Sequence, residues 1–129
     1  MLNITSKESY KPTICLDFDG VVHSYTSGWH GSDVVKDEPV EGAFDFITKC
    51  FLNNYNVAIF SSRSHQDNGI TAMKKWFIDN NMTKEVLNKI QFPTIKPPAI
   101  LYIDDRGFHF KGEWPSFDFI NNFKPWNKV

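Results

Sequence analysis

Asp17 and Asp19 stand one residue apart at the end of an apolar run, Ile14-Cys15-Leu16, and Gly20 follows at once. Asp and Gly are poor strand residues, so the run reads as a buried strand that delivers two acids to its C-terminal edge, where open α/β sheets bind their ligands. Side chains at i and i+2 of an extended segment point the same way. A turn at Gly20 makes the two directions diverge, so one carboxylate can face a reacting centre while the other reaches past it. Such a pair suits a hard cation, or a nucleophile with an acid beside it. A bare Asp-x-Asp also fits a plain strand end, and other residues must decide.

Two further polar groups repeat the pattern. Ser61 and Ser62 end the apolar run 56–60, and Asp104 and Asp105 end the run 99–103. If the three runs are parallel strands, all six residues meet on one sheet edge. Carboxylates gathered there repel one another unless a cation neutralises them. Oxygen-only ligation without a Cys or His cluster suits Mg²⁺, which keeps several waters and pairs with phosphate oxygens. The Ser61 hydroxyl and the Lys96 ammonium are donors that can hold a phosphoryl group. An acid nucleophile, a metal, a hydroxyl and a lysine together make a site for phosphoryl transfer.

The elements that must position these groups alternate. Residues 21–38, rich in Gly, Ser, Trp and His, read as a flap turning near Ser27-Gly28. Helical spacing of Phe44, Ile47 and Phe51 predicts a helix over 41–53, and Asn56 to Phe60 reads as the second strand. A helix is expected over 68–80, burying Ile70, Met73 and Phe77, and a short one over 83–88. Ile90-Gln91-Phe92 is a weak third strand stopped by Pro93, Ala99 to Ile103 a strong fourth, and Phe108-His109-Phe110 a short edge strand. A last helix is expected over 116–123. Strands alternating with helices mean parallel βαβ units with right-handed crossovers. The 129 residues make one α/β domain spanning 1–129.

Composition narrows the function classes. Hydrophobic residues make up 41% and charged residues 22%, ordinary globular values that argue against disorder. Twelve Phe and four Trp imply an aromatic core, and the net charge of −1 supplies no bulk attraction to nucleic acid or membrane. No apolar run approaches the roughly 18 residues that a membrane helix needs, and residues 1–11 lack the apolar core of a secretion signal. Cys15 and Cys50 lie in apolar segments, where reduced buried thiols and a cytoplasmic location are expected.

With its motifs in place, the chain resembles the haloacid dehalogenase superfamily. Asp17-Phe18-Asp19-Gly20-Val21 matches that superfamily's first motif, and Ser61 at the end of its strand matches the second. Lys96 matches the third, and Asp104-Asp105 the paired-acid form of the fourth. The resemblance implies a three-layer Rossmann-like sandwich around a mainly parallel sheet of order 5-4-1-2-3, with a flap after the first strand. It implies Asp17 as nucleophile, Asp19 as acid and base, and Ser61 and Lys96 as phosphate holders. Mg²⁺ would sit on Asp17, the Asp19 backbone carbonyl and Asp104, with Asp105 binding directly or through water. Of the paired acids, the first should point into the site and the second act from farther out.

Relatives often carry a cap domain. Here Ser61 lies 44 positions after Asp17 and Lys96 lies 35 positions after Ser61, too close for a cap in either gap. An open site follows, closed only by the flap or by another subunit. The expected activity is hydrolysis of a phosphate monoester of unknown size. A nucleotide or a nucleic-acid end is the alternative substrate, and a non-catalytic module binding a phosphorylated partner is the alternative class. Arg63 and Arg106 read as structural ion-pair partners, and the four histidines as surface or flap residues without zinc-like spacing. Trp114, Phe117, Phe119, Ile120, Phe123 and Trp126 are expected to pack mostly on the sheet, with the remainder available for a homo-oligomer contact.

Overall fold

A computed structural model describes residues 10–128. The polar segment 1–9, read above as lacking a secretion signal, lies outside the described residues. The apolar runs form strands β1 (Thr13–Leu16), β2 (Asn56–Ile59) and β3 (Leu101–Ile103). They make one parallel sheet in the order β2-β1-β3, with Ile14 paired to both Val57 and Leu101 and Leu16 to both Ile59 and Ile103. The sheet reaches further on each side of β1 than the strand bounds suggest. The Asp17 amide donates to the Ile103 carbonyl at 2.9 Å, and the Phe60 amide to the Leu16 carbonyl at 3.1 Å. Asp17 is therefore held by the ladder itself.

The helices fall where the periodicity puts them: α1 (Ala43–Leu52), α2 (Gly69–Asp79), the single turn α3 (Lys84–Leu87) and α4 (Phe117–Asn122), followed by a 3₁₀ turn at Trp126–Lys128. Thr83 caps α3 by accepting from the Val86 amide, and Ser116 caps α4 by accepting from the Phe119 amide. Alternate residues of β1 and β2, namely Ile14, Leu16, Val57 and Ile59, share one core with Ile47 of α1 and with Met73, Trp76 and Phe77 of α2. Full burial of each such side chain contributes roughly 1.5–3 kcal/mol relative to exposure. Aliphatic side chains make up most of this core, and the aromatic core expected from composition is reduced to Phe18, Trp76 and Phe77, while Trp29, Trp114 and Trp126 are exposed. Phe18 meets Trp76 edge-on at 5.1 Å between centroids and Phe77 at 5.9 Å.

The five-strand order is not what forms. The expected third strand is a single parallel bridge from Gln91 to Ala58, outside β2. Gln91 both donates to Val57 and accepts from Ile59, but Pro93 has no N–H with which to continue. The expected fifth strand, 108–110, is not a strand at all. Phe108 and Phe110 are half-exposed, and among the described residues no strand pairs with the outer edge of β3. The expected packing of the tail on the sheet also fails, because Trp114, Phe117, Phe119, Ile120, Phe123 and Trp126 are all exposed. Their aromatic contacts are local, as between Phe110 and Trp114 at 4.7 Å.

The flap is an antiparallel clasp at its base. The Ser24 amide donates to the Glu38 carbonyl and the Val40 amide to the Val22 carbonyl, while the chain turns between Tyr25 and Gly28. Both cysteines are buried and free, and burial pushes both thiols up from their ordinary pKa. Among the described residues, no helix is long and apolar enough to cross a membrane.

Candidate functional site

Asp17 leaves β1 at the C-terminal edge of the sheet, and its Oδ1 accepts from the Phe18 amide at 2.8 Å. Burial raises its carboxyl to a pKa of about 7, against the lowering effect of that amide, and the neighbouring charges of Asp105 and Asp19 push the same way as burial. Asp17 also meets the Asp105 side chain directly. Gly20 makes that approach possible. It turns the chain with φ of +86°, and a Cβ there would collide with the Asp105 carboxylate.

The six residues singled out in the sequence line two adjoining clefts that share Asp17, Ser61, Ser62 and Arg106. The first, about 250 Å³, contains Asp17, Ser61, Lys96 and Asp104. The second, about 280 Å³, contains Asp17, Asp19, Ser61 and Asp105. Ser61 is buried and shaped by a turn in which its Oγ accepts from the Arg63 amide at 3.2 Å. That contact uses an acceptor site and leaves the hydroxyl proton available for donation. Lys96 is exposed, with its ammonium 4.5 Å from the centre of the Tyr102 ring. The Tyr102 hydroxyl in turn donates to the Pro97 carbonyl at 2.6 Å, bracing the lysine's loop.

Both paired acids reach the clefts, Asp104 beside Asp17 in the first and Asp105 beside Asp17 in the second. Asp105 is the acid that touches Asp17. Oδ1 of Asp104, the expected inward acid, accepts from the Arg106 amide at 3.0 Å and from the Gly107 amide. The acid directly after the strand is thus spent partly on its own turn.

Asp19 is more tightly held than an isolated acid would be. Its Oδ2 accepts from Nε of Arg63 at 2.9 Å, and its Oδ1 lies 2.8 Å from Nδ1 of His23. His23, read from sequence as a surface or flap group, is buried and stacked on Phe18 at 5.3 Å. The Asp37 amide donates to its Nε2 at 3.1 Å, which fixes the proton on Nδ1, facing Asp19. Arg63 does form the ion pair foreseen for it, and it is wholly buried. Its Nη1 also donates to the flap carbonyls of Gly31, Ser32 and Val34.

The donor set fits Mg²⁺. Asp17 and Asp105 present oxygens side by side, and a cation between them would offset the repulsion and desolvation that now raise the Asp17 pKa. Among the described residues no three His, Cys, Asp or Glu side chains gather into a cage for an ion. Mg²⁺ is commonly held by one or two carboxylates with waters and substrate phosphate completing its shell. No family model, curated protein or solved structure matches this chain.

Proposed function

We propose that this chain is a Mg²⁺-dependent, capless phosphatase of the haloacid dehalogenase type, hydrolysing a phosphate monoester through an aspartyl-phosphate. The observation that carries this reading is the convergence of Asp17, Asp19, Ser61, Lys96, Asp104 and Asp105 on one sheet edge, in two clefts that share Asp17. The parallel order β2-β1-β3 is compatible with the central part of a Rossmann-like, three-layer arrangement.

In this reading the Asp17 carboxylate attacks phosphorus, the P–O bond to the leaving group breaks, and the leaving oxygen takes a proton from Asp19. Water then attacks the aspartyl-phosphate, gives its proton to Asp19, and releases phosphate and a free Asp17. Ser61 and Lys96 hold the phosphoryl oxygens, and Lys96 also screens Asp17. Asp17 and Asp105 would hold Mg²⁺, with Asp104 and the Asp19 carbonyl as the further ligands that the resemblance implies, and the ion would supply charge neutralisation for the transferring group. Each Asp19 oxygen already accepts one hydrogen bond, Oδ1 from His23 and Oδ2 from Arg63, and keeps a second lone pair, so its proton transfers take place beside the His23 contact. Proton transfer is thereby linked to the base of the flap.

A screen of phosphate monoesters with and without Mg²⁺, run on the wild type and on Asp17→Asn, tests the reading. Tight binding of phosphorylated compounds without turnover would favour the non-catalytic module instead.

A further inference from the structure

The second cleft holds more than acids. Tyr25 and Trp29 line it from the flap, and Asn127 and Lys128 from the terminal 3₁₀ turn. Two hydrogen bonds fold that turn back over the site. Trp126 Nε1 donates to the Gly20 carbonyl at 2.8 Å, and Asn127 Nδ2 donates to the Ser24 carbonyl at 3.1 Å. A carbonyl can only accept, so the Asn127 amide nitrogen must face Ser24 and its Oδ1 must face the other way. Oδ1 is buried and has no hydrogen-bond partner among the described residues. A buried acceptor left unpaired is costly, and a substrate N–H or O–H in the cleft would satisfy it.

The aromatic groups are presented with similar specificity. Tyr25 is a non-glycine residue at φ of +61°, a sparsely populated conformation that is retained where surroundings or function demand it. Trp29 lies over the Arg63 guanidinium, 4.8 Å from Cζ to the ring centre, and remains 47% exposed. The guanidinium thus backs part of a ring that still presents surface to a planar group. Arg106 lines the cleft and Lys128 adds a second cation, and neither forms an ion pair among the described residues.

We propose that this cleft is the leaving-group subsite and that it takes a nucleoside: a planar ring against Trp29 and Tyr25, a ring or sugar donor to Asn127 Oδ1, and, where the nucleoside belongs to an oligonucleotide, its remaining phosphate near Arg106 and Lys128. The proposal rests on the phosphatase reading and narrows its substrate class. Stacking on aromatic side chains contributes on the order of 1–3 kcal/mol per base and tolerates any base. A group that hydrogen-bonds the substrate adds discrimination.

The experiment compares kcat/KM on nucleoside 5′- and 3′-monophosphates, on short oligonucleotides phosphorylated at either end, and on p-nitrophenyl phosphate. Asn127→Ala is expected to lower the ratio of nucleotide to p-nitrophenyl phosphate kcat/KM about tenfold, the worth of one lost hydrogen bond. Binding is read separately. Nucleoside monophosphate should quench tryptophan fluorescence of the Asp17→Asn protein more than inorganic phosphate does, and Trp29→Phe should remove the excess. An unchanged ratio, or equal quenching by phosphate and nucleotide, overturns the subsite and leaves the phosphatase reading standing. Absence of hydrolysis of every ester overturns the phosphatase reading, and the subsite with it. Preference for strand ends or for free nucleotides identifies which source supplies the nucleoside.

Discussion

Arg63 Nε and Asp19 Oδ2 lie 2.9 Å apart across 44 residues of chain, and this pair fastens the acid edge of the sheet to the flap. The same guanidinium holds three flap carbonyls, so the loss of Arg63 frees both the acid and the loop over it. Breaking a buried ion pair by removing one partner costs about 3–5 kcal/mol. Arg63→Ala should therefore lower the urea midpoint severely. Arg63→Lys should recover part of the stability but not the flap contacts, because an ammonium cannot reproduce the guanidinium fork. Protease cleavage within 25–38 should rise in both. Equal resistance of wild type and Arg63→Lys to cleavage there would contradict the clasp.

His23→Ala removes a buried ring that joins Asp19, Phe18 and the Asp37 amide. A cavity and an unpaired amide together cost roughly 2–4 kcal/mol. If proton transfer by Asp19 runs with or through His23, His23→Asn should also change the shape of the kcat–pH profile. A profile of unaltered shape would leave His23 with a packing role alone.

The metal-free protein should be more stable in mild acid than at neutral pH. Asp17 in the folded chain titrates near 7, above its ordinary value of 3.8, so between these values the folded state binds the extra proton. Stability is then highest below about pH 4 from this group's standpoint and declines as pH rises through 7. Melting scans from pH 5 to 8 without metal should show that decline, Asp17→Asn should flatten it and raise the midpoint at pH 8, and Mg²⁺ should oppose it in the wild type. A slope that survives in Asp17→Asn would assign it to other groups.

Gly20→Ala places a methyl group against the Asp105 carboxylate at a positive φ. It should abolish the Mg²⁺-induced rise in melting temperature more fully than it lowers the metal-free melting temperature. By the same geometry Asp105→Ala should weaken the Mg²⁺ response more than Asp104→Ala does, since Asp105 is the acid against Asp17. The reverse ranking would restore Asp104 as the principal ligand.

The acid edge was legible because strand ends announce themselves: a few apolar residues, then Asp or Ser, with one parallel register bringing the ends together. Phe108-His109-Phe110 misled because alternation is shared by any extended segment, and nothing in three residues specifies a pairing edge. His23 was unreadable for a different reason. Its burial depends on the Asp37 amide and on Trp76, and its sequence neighbours are those of an ordinary loop. The cleft residues Asn127 and Lys128 come from the far end of the chain, brought in by the Trp126–Gly20 hydrogen bond, and no local pattern encodes so long a return.

Asp17, as the proposed phosphoryl acceptor, is open to direct trapping. Acid-quenched wild type mixed with p-nitrophenyl phosphate and Mg²⁺ should carry a phosphoryl adduct on the peptide containing Asp17. Asp17→Asn should carry none and should turn over the ester roughly a thousandfold more slowly. Hydrolysis by Asp17→Asn at the wild-type rate, or an adduct on a different residue, would contradict the account.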